Sequence, residues 1–244
     1  MSRDTIYREQ AAAIKAFEFD TAVTAVFSDM IRRSVPGYRD TLAGIHRLAS
    51  TELPEHCRCY DLGCSLGAAT LSICLGLDNR AGHIIAVDNA AAMIDGCRSA
   101  DHFVERPQTI DFLCADIADV EITNADLVVL NYTLQFLPPA ERDALLRRIF
   151  EGLRPGGMLV LSEKFRFDDD RVQSLLTDQH HEFKRQNDYS DLEIAGKRSA
   201  LENVLIADTR ETHETRLRDA GFAHVVLWQA NLNFGSFLAI RDDR

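Results

Sequence analysis

The stretch Tyr60-Asp61-Leu62-Gly63-Cys64-Ser65-Leu66-Gly67-Ala68-Ala69-Thr70-Leu71-Ser72 constrains the fold of this chain more than any other. A short apolar run ends in an acid, small residues follow at once, and apolar residues then continue at helical spacing. That order predicts a strand, a tight turn and a helix. Gly63 and Gly67 remove side chains where the backbone turns sharply or lies against a ligand, and the unsatisfied N–H groups of the helix start face the same spot. The turn is predicted to hold a nucleotide-like ligand.

Two familiar motifs compete for this turn. Gly63-Cys64-Ser65-Leu66-Gly67 formally matches the G-x-S-x-G nucleophile elbow, in which Ser65 would attack an ester. That elbow needs several strands and an oxyanion glycine cluster upstream, whereas the residues before Tyr60 read mostly as helix. The dinucleotide fingerprint G-x-G-x-x-G also fails, because Ser65 and Ala68 take two of its glycine positions. What remains is the looser acidic-x-Gly-x-x-x-Gly turn of cofactor sites without a pyrophosphate, for which S-adenosylmethionine is the obvious ligand.

Three more apolar runs end in polar residues. Ile84-Ile85-Ala86-Val87 leads to Asp88 and Asn89, and an acid some 20 residues beyond a glycine turn accepts from both ribose hydroxyls. Asp88 would also serve as a cap for the helix starting near Ala91. Thr109 to Ala115 leads to Asp116 and Ile117, where an acid can accept from the exocyclic amine of adenine and an apolar side chain can lie against the ring. Ala125 to Leu130 is nearly all apolar, as a strand buried on both faces should be, and ends in Asn131. Pro138-Pro139 opens a helix that ends at Gly152, and Arg154-Pro155-Gly156-Gly157 turns into a fifth strand, Met158 to Glu163.

The remainder is less particular. A polar, mobile arm is expected to about residue 18, then a helix from Phe19 capped by Asp20 or Thr21, a break at Pro36-Gly37, and a second helix over 39–50. Tyr38, between them, reads as an aromatic covering the core or as a lid residue over a ligand. Near the end, 209–220 predicts an amphipathic helix closed by Gly221, followed by an antiparallel hairpin.

Bulk properties bound the function. At 244 residues and 46% hydrophobic, the chain can bury one α/β core. Its start mixes charges of both signs, and no apolar run reaches membrane-spanning length, so a cytoplasmic protein is expected. The net charge of −11 repels phosphate and disfavours direct nucleic-acid binding; the pairs Arg32-Arg33, Arg147-Arg148, Lys184-Arg185 and Lys197-Arg198 could still cluster locally, but scattered pairs of this kind read as solvated helix faces. Six cysteines are expected to stay reduced. His56-Cys57-Arg58-Cys59 lacks a second pair at zinc spacing, and His180-His181 points two ways from a helix, so no metal site is expected.

The order of glycine turn, ribose acid, adenine acid, polar residue and Arg-Pro-Gly-Gly is that of class I S-adenosylmethionine-dependent methyltransferases. The blocks outside that core are more specific. Ser34 to Tyr38, Asn131 to Leu137, Leu161 to Phe165, His181 to Arg185, Lys197 to Asn203 and Asn233 to Ser236 together resemble the carboxy-S-adenosylmethionine synthase family, over nearly the whole chain from Asp4. Two stretches depart from it, 8–17 and 229–232.

The resemblance implies one domain over 1–244, a Rossmann-like seven-stranded, mostly parallel sheet with helices on both faces. Residues 1–50 would form an N-terminal helical lid, and 166–208 a helical insertion after strand five that carries a homodimer contact. It implies conversion of S-adenosylmethionine and prephenate to carboxy-S-adenosylmethionine and phenylpyruvate, the product serving a separate enzyme that modifies tRNA wobble uridine. In outline, prephenate loses carbon dioxide and hydroxide, a methyl proton leaves the sulfonium, and the resulting ylide captures the carbon dioxide. Tyr38, Gly63, Cys64, Ser65, Asp88, Asn89, Asp116, Ile117 and Asn131 carry over as cofactor contacts. Arg198 carries over as the catalytic cation that holds the new carboxylate, brought by the partner subunit. The other classes the residues leave open are an ordinary small-molecule methyltransferase and a noncatalytic cofactor-binding partner.

Overall fold

Seven strands, β1 (Cys57–Leu62), β2 (Gly82–Asp88), β3 (Thr109–Cys114), β4 (Ala125–Asn131), β5 (Leu153–Lys164), β6 (His224–Asn231) and β7 (Phe234–Ile240), form one sheet. The computed structural model describes residues 3–6, 19–201 and 204–242. The strand order is β3-β2-β1-β4-β5-β7-β6. The ladders among β1 to β5 are parallel, and β7 runs antiparallel to both β5 and β6. No described strand precedes β1, which removes the upstream scaffold that a nucleophile elbow at Ser65 requires.

Helices cover both faces because the central strands are apolar on both. β4 is buried along its length to Leu130. On one face Ile45 and Ala49 of α2 (Tyr38–Thr51) meet Ile73 and Leu77 of α3 (Ala68–Leu77) over Leu127 and Val160. On the other, Leu145 and Ile149 of α5 (Pro139–Gly152) pack with Leu217 of the C-terminal helix, Arg210–Ala220, over Val128 and Leu159. α1 (Thr21–Ser34) is capped by the Asp20 side chain, which accepts from the Val23 N–H at 2.8 Å. α4 (Ala91–Arg98) follows β2, as predicted.

Between β5 and the C-terminal unit, the insertion folds as α6 (Asp170–Gln186) and α7 (Asp191–Leu201), and the C-terminal helix, α8, is capped by Thr209 and closed by Gly221 in the left-handed region. Buried Arg142 on α5 locks the end of the insertion, giving a charge-assisted bond to Asp208 at 2.6 Å and bonds to the Gln135 and Leu137 carbonyls. The divergent stretch 229–232 extends β6. Gln229 donates to the Asp40 carbonyl at 2.9 Å, and the neighbouring Trp228 ring lies against Gly44 of α2, where a Cβ would come within 2.5 Å.

The structure corrects three expectations. The Arg154–Gly157 segment does not precede the fifth strand; it bulges within it, the register passing from Ala125↔Leu153 to Leu127↔Met158. The N-terminal arm is not a mobile polar tail where it is described: Asp4 is 1% exposed, although most of the arm, 7–18, lies outside the described residues. The basic pairs are not uniformly solvated, since Arg33, Lys184 and Lys197 are all buried. Arg33 donates to the Asn187 and Asp188 carbonyls and to Asp29, tying α1 to the α6–α7 turn.

Candidate functional site

A cavity of about 500 Å³ opens at the carboxyl ends of β1, β2, β4 and β5, where neighbouring strands β1 and β4 lead away in opposite directions along the sheet. The turn after β1 forms its floor. Gly63 and Gly67 have φ of 79° and 74°, and a Cβ at Gly63 would stand 2.4 Å from Thr133 atoms, so glycine is required there by both backbone and space. The Gly63 and Cys64 N–H groups both donate to the Val87 carbonyl, pinning the turn to β2. Ser65 and Tyr132 are non-glycine residues at φ 48° and 64°, and both line the cavity.

Asp61 ends β1 beneath the turn. Its Oδ2 accepts from the Thr70 N–H and hydroxyl at 2.9 and 2.6 Å, holding the first turn of α3 against the strand. Burial pushes its carboxyl up to about 6 despite those bonds. Asp88 ends β2 and is used twice by the backbone, Oδ2 accepting from Ser65 N–H and Oδ1 from Ala90 N–H, each at 2.9 Å. Each carboxylate oxygen keeps a second lone pair. Burial raises the Asp88 carboxyl.

The cavity gathers nine of the ten residues singled out in the sequence. Tyr38, Gly63, Cys64 and Ser65 line it from the α2 start and the turn, Asp88 from the end of β2 and Asn89 just after it, Asp116 and Ile117 from beyond β3, and Asn131 from the end of β4. Asp116 is exposed and spends Oδ1 on the Ala118 N–H at 2.8 Å. Tyr38 opens α2 rather than lying in a loop, its ring 6.2 Å from that of Tyr132. The tenth residue, Arg198, is not brought to the cavity by its own chain. It stands exposed on α7; burial lowers the pKa values of Lys164 and His181, and the charge of Arg198 adds to both effects.

The sequence reading missed a group of basic side chains. Lys164 at the end of β5, His180 and Lys184 on α6, and Lys197 on α7 all line the cavity. His180 is buried, its Nε2 2.8 Å from the Ser34 carbonyl, and burial pushes it down to about 3. Lys197 donates to Asp4 Oδ2, Ser34 Oγ and Tyr189 Oη at 3.0–3.2 Å. Burial lowers Lys197 to about 8 and Lys184 to about 7. A Lys-Arg pair in a polar helix carries no local signal that one member faces inward.

The strand order, the bend after β1 and the polar rim place the chain in the class I S-adenosylmethionine-dependent methyltransferase fold. Residues 60–157 match the model of the methyltransferase domain family. Human N-acetylserotonin methyltransferase, solved in complex with S-adenosylmethionine, superposes with a TM-score of 0.62 at 18% identity, over 91% of this chain and 55% of that one. An O-methyltransferase family protein from Burkholderia thailandensis gives 0.63 at 18%, over 95% and 65%. Full-length relatives are more specific. Carboxy-S-adenosyl-L-methionine synthase of Shewanella sp. (strain W3-18-1) is 52% identical over 240 residues, 98% of this chain and 99% of its own, and that of Salmonella paratyphi C is 51% identical over 239, 98% and 97%. The chain belongs to the carboxy-S-adenosyl-L-methionine synthase family.

The residues fit S-adenosylmethionine. Asn131 Oδ1 is buried with no hydrogen-bond partner and belongs to a residue lining the cavity, the mark of a group kept for a ligand. Asp88 has acceptor capacity left, and the volume lies within the range of small-molecule sites.

Proposed function

We propose that the chain converts S-adenosylmethionine and prephenate to carboxy-S-adenosylmethionine and phenylpyruvate. The observation that carries the reading is the extent of the likeness: 52% identity runs over 240 residues, well beyond the methyltransferase core at 60–157 and through the α6–α7 insertion. The methyltransferases that superpose over 91% and 95% of this chain are only 18% identical to it.

The bound sulfonium supplies an acidified methyl C–H. The chain's own residues orient and shield it. Asp88 accepts from the ribose hydroxyls, Asp116 from the adenine amine, and Ile117 packs on the ring. Asn131 Oδ1 accepts from a donor of the same ligand, and Gly63, Cys64 and Ser65 let it lie against the turn. Tyr38 closes over it. The hydroxide leaving prephenate and the proton leaving the methyl group combine as water, so no protein base is needed for balance. Carbon dioxide released in the cavity must meet the carbanion before water does, which an enclosed site favours.

Arg198 of the partner subunit holds the new carboxylate, its guanidinium fork matching two oxygens as lysine does not. The exposure of Arg198 on α7 supports supply to a neighbouring subunit of a homodimer. The protein works in the cytoplasm on small molecules, without contacting RNA, and its product supplies the tRNA-modifying step. The test is incubation of the purified chain with S-adenosylmethionine and prephenate. Equal amounts of phenylpyruvate and carboxy-S-adenosylmethionine are expected; S-adenosylhomocysteine formed without need of prephenate would contradict the reading.

A further inference from the structure

The cavity is electrically divided along the sheet. Asp88 and Asp116 occupy its β2–β3 end, while Lys164, Lys184 and Lys197 occupy its β5 end beside the neutral ring of His180. In a chain of net charge −11, this gathering of cations runs against the average. Lys197 is matched by Asp4 at 3.2 Å. Lys164 and Lys184 are not matched: among the described residues neither forms an ion pair with a carboxylate, and Lys164 Nζ lies 6.0 Å from the Phe234 ring centroid.

The charges acting on these two ammoniums have their own sign. Lys184 feels Lys197 and Lys164, and Lys164 feels Arg198. Glu163 precedes Lys164 in β5 but is buried on the opposite face, where its Oε1 accepts from the Leu134 N–H. Lys184 is 8% exposed, and an ammonium held so far from water without a counter-charge is costly. A carboxylate ligand would supply the missing charge. Beside the lysines is an aromatic wall, His180 edge-on to Phe234 at 4.9 Å and Tyr132 to Phe234 at 6.0 Å.

We propose that Lys164 and Lys184 form the carboxylate subsite for the second substrate, a ring-bearing dicarboxylate, whose ring lies against Phe234 and His180. The identity of the ligand as prephenate rests on the proposed reaction; the subsite itself rests on the unpaired cations and the aromatic wall. The acidic end then serves the neutral hydroxyls and amine of the adenosine, and the cationic end serves the anion.

The test uses the full chain carrying Lys184→Met or Lys164→Met, with Lys184→Arg as the conservative partner. Each Met variant is expected to raise the KM for prephenate by about tenfold or more, the scale of losing a partly buried charge contact. Its calorimetric Kd for S-adenosylmethionine should stay within about twofold of the parent, and Lys184→Arg should recover most of the loss. An unchanged KM for prephenate in both Met variants would overturn the proposal. So would a parallel loss of S-adenosylmethionine affinity, which would assign the lysines to the amino-acid carboxylate of that ligand. If the parent chain makes no carboxy-S-adenosylmethionine, the reaction fails, and the subsite is judged by titrating the S-adenosylmethionine-saturated protein with prephenate. Binding that is lost in Lys184→Met supports it, and absence of binding to the parent overturns it.

Discussion

Asp88 shapes the site that it is proposed to serve. Both carboxylate oxygens already fix backbone N–H groups of the turn and of α4, so the acid is rigid before a ligand arrives. Asp88→Ala is expected to weaken S-adenosylmethionine binding by about 1.5–3 kcal/mol, the worth of hydrogen bonds to a charged acceptor, as calorimetry would read it; unchanged affinity would remove Asp88 from the ribose role. For Arg198→Ala, carboxy-S-adenosylmethionine should bind at least about tenfold more weakly while S-adenosylmethionine is spared. Equal losses for the two ligands would contradict the assignment. Glu163 makes a pH-dependent contribution. Burial raises it from 4.5 to about 8, although Arg142 opposes the rise, so between those values the folded state holds a proton that the unfolded state has released. Its contribution to stability is full below the unfolded value and is lost as pH rises through about 8. Glu163→Gln, which keeps an oxygen for the Leu134 N–H, should therefore raise Tm at pH 9 relative to the parent and change it little at pH 4. A Tm difference independent of pH would contradict this.

Among elements, the β1–α3 turn is the part whose form the sequence states most fully. The acid, two glycines and apolar helix of 60–72 become a strand end, a left-handed bend and a helix start, because each local preference agrees with the tertiary fold. Gly63→Ala tests that element: the φ of 79° and the 2.4 Å approach to Thr133 predict a loss of stability of about 1–3 kcal/mol from overpacking, with further strain from the left-handed backbone. Urea denaturation would read it, and an unchanged midpoint would mean the turn can yield. α6 and α7 were less legible. The inward turn of Lys197 is fixed by a partner far away in sequence, Asp4, 193 residues distant, and no window along the helix contains that information. The same contact explains why Asp4 reads as part of a polar arm in the sequence and is buried in the fold. The bulge at Arg154–Gly157 was misplaced by a few residues because a Pro-Gly-Gly signal marks a bend but not the ladder around it.

Taken whole, the molecule carries a net charge of −11 and yet gathers lysines at one end of its candidate site. That division suits the proposed handling of carboxylated metabolites. If Arg198 serves the neighbouring subunit of a homodimer, as proposed, the protein should elute with twice the mass of one chain in light-scattering chromatography, and a monomer retaining full synthase activity would rule out the shared site. The most direct test of the account is mass spectrometry of the small molecule released when the freshly purified protein is denatured. The predicted result is S-adenosylmethionine carrying one carboxyl in place of a methyl hydrogen. Release of only S-adenosylmethionine or S-adenosylhomocysteine, unchanged after incubation with prephenate, would contradict it.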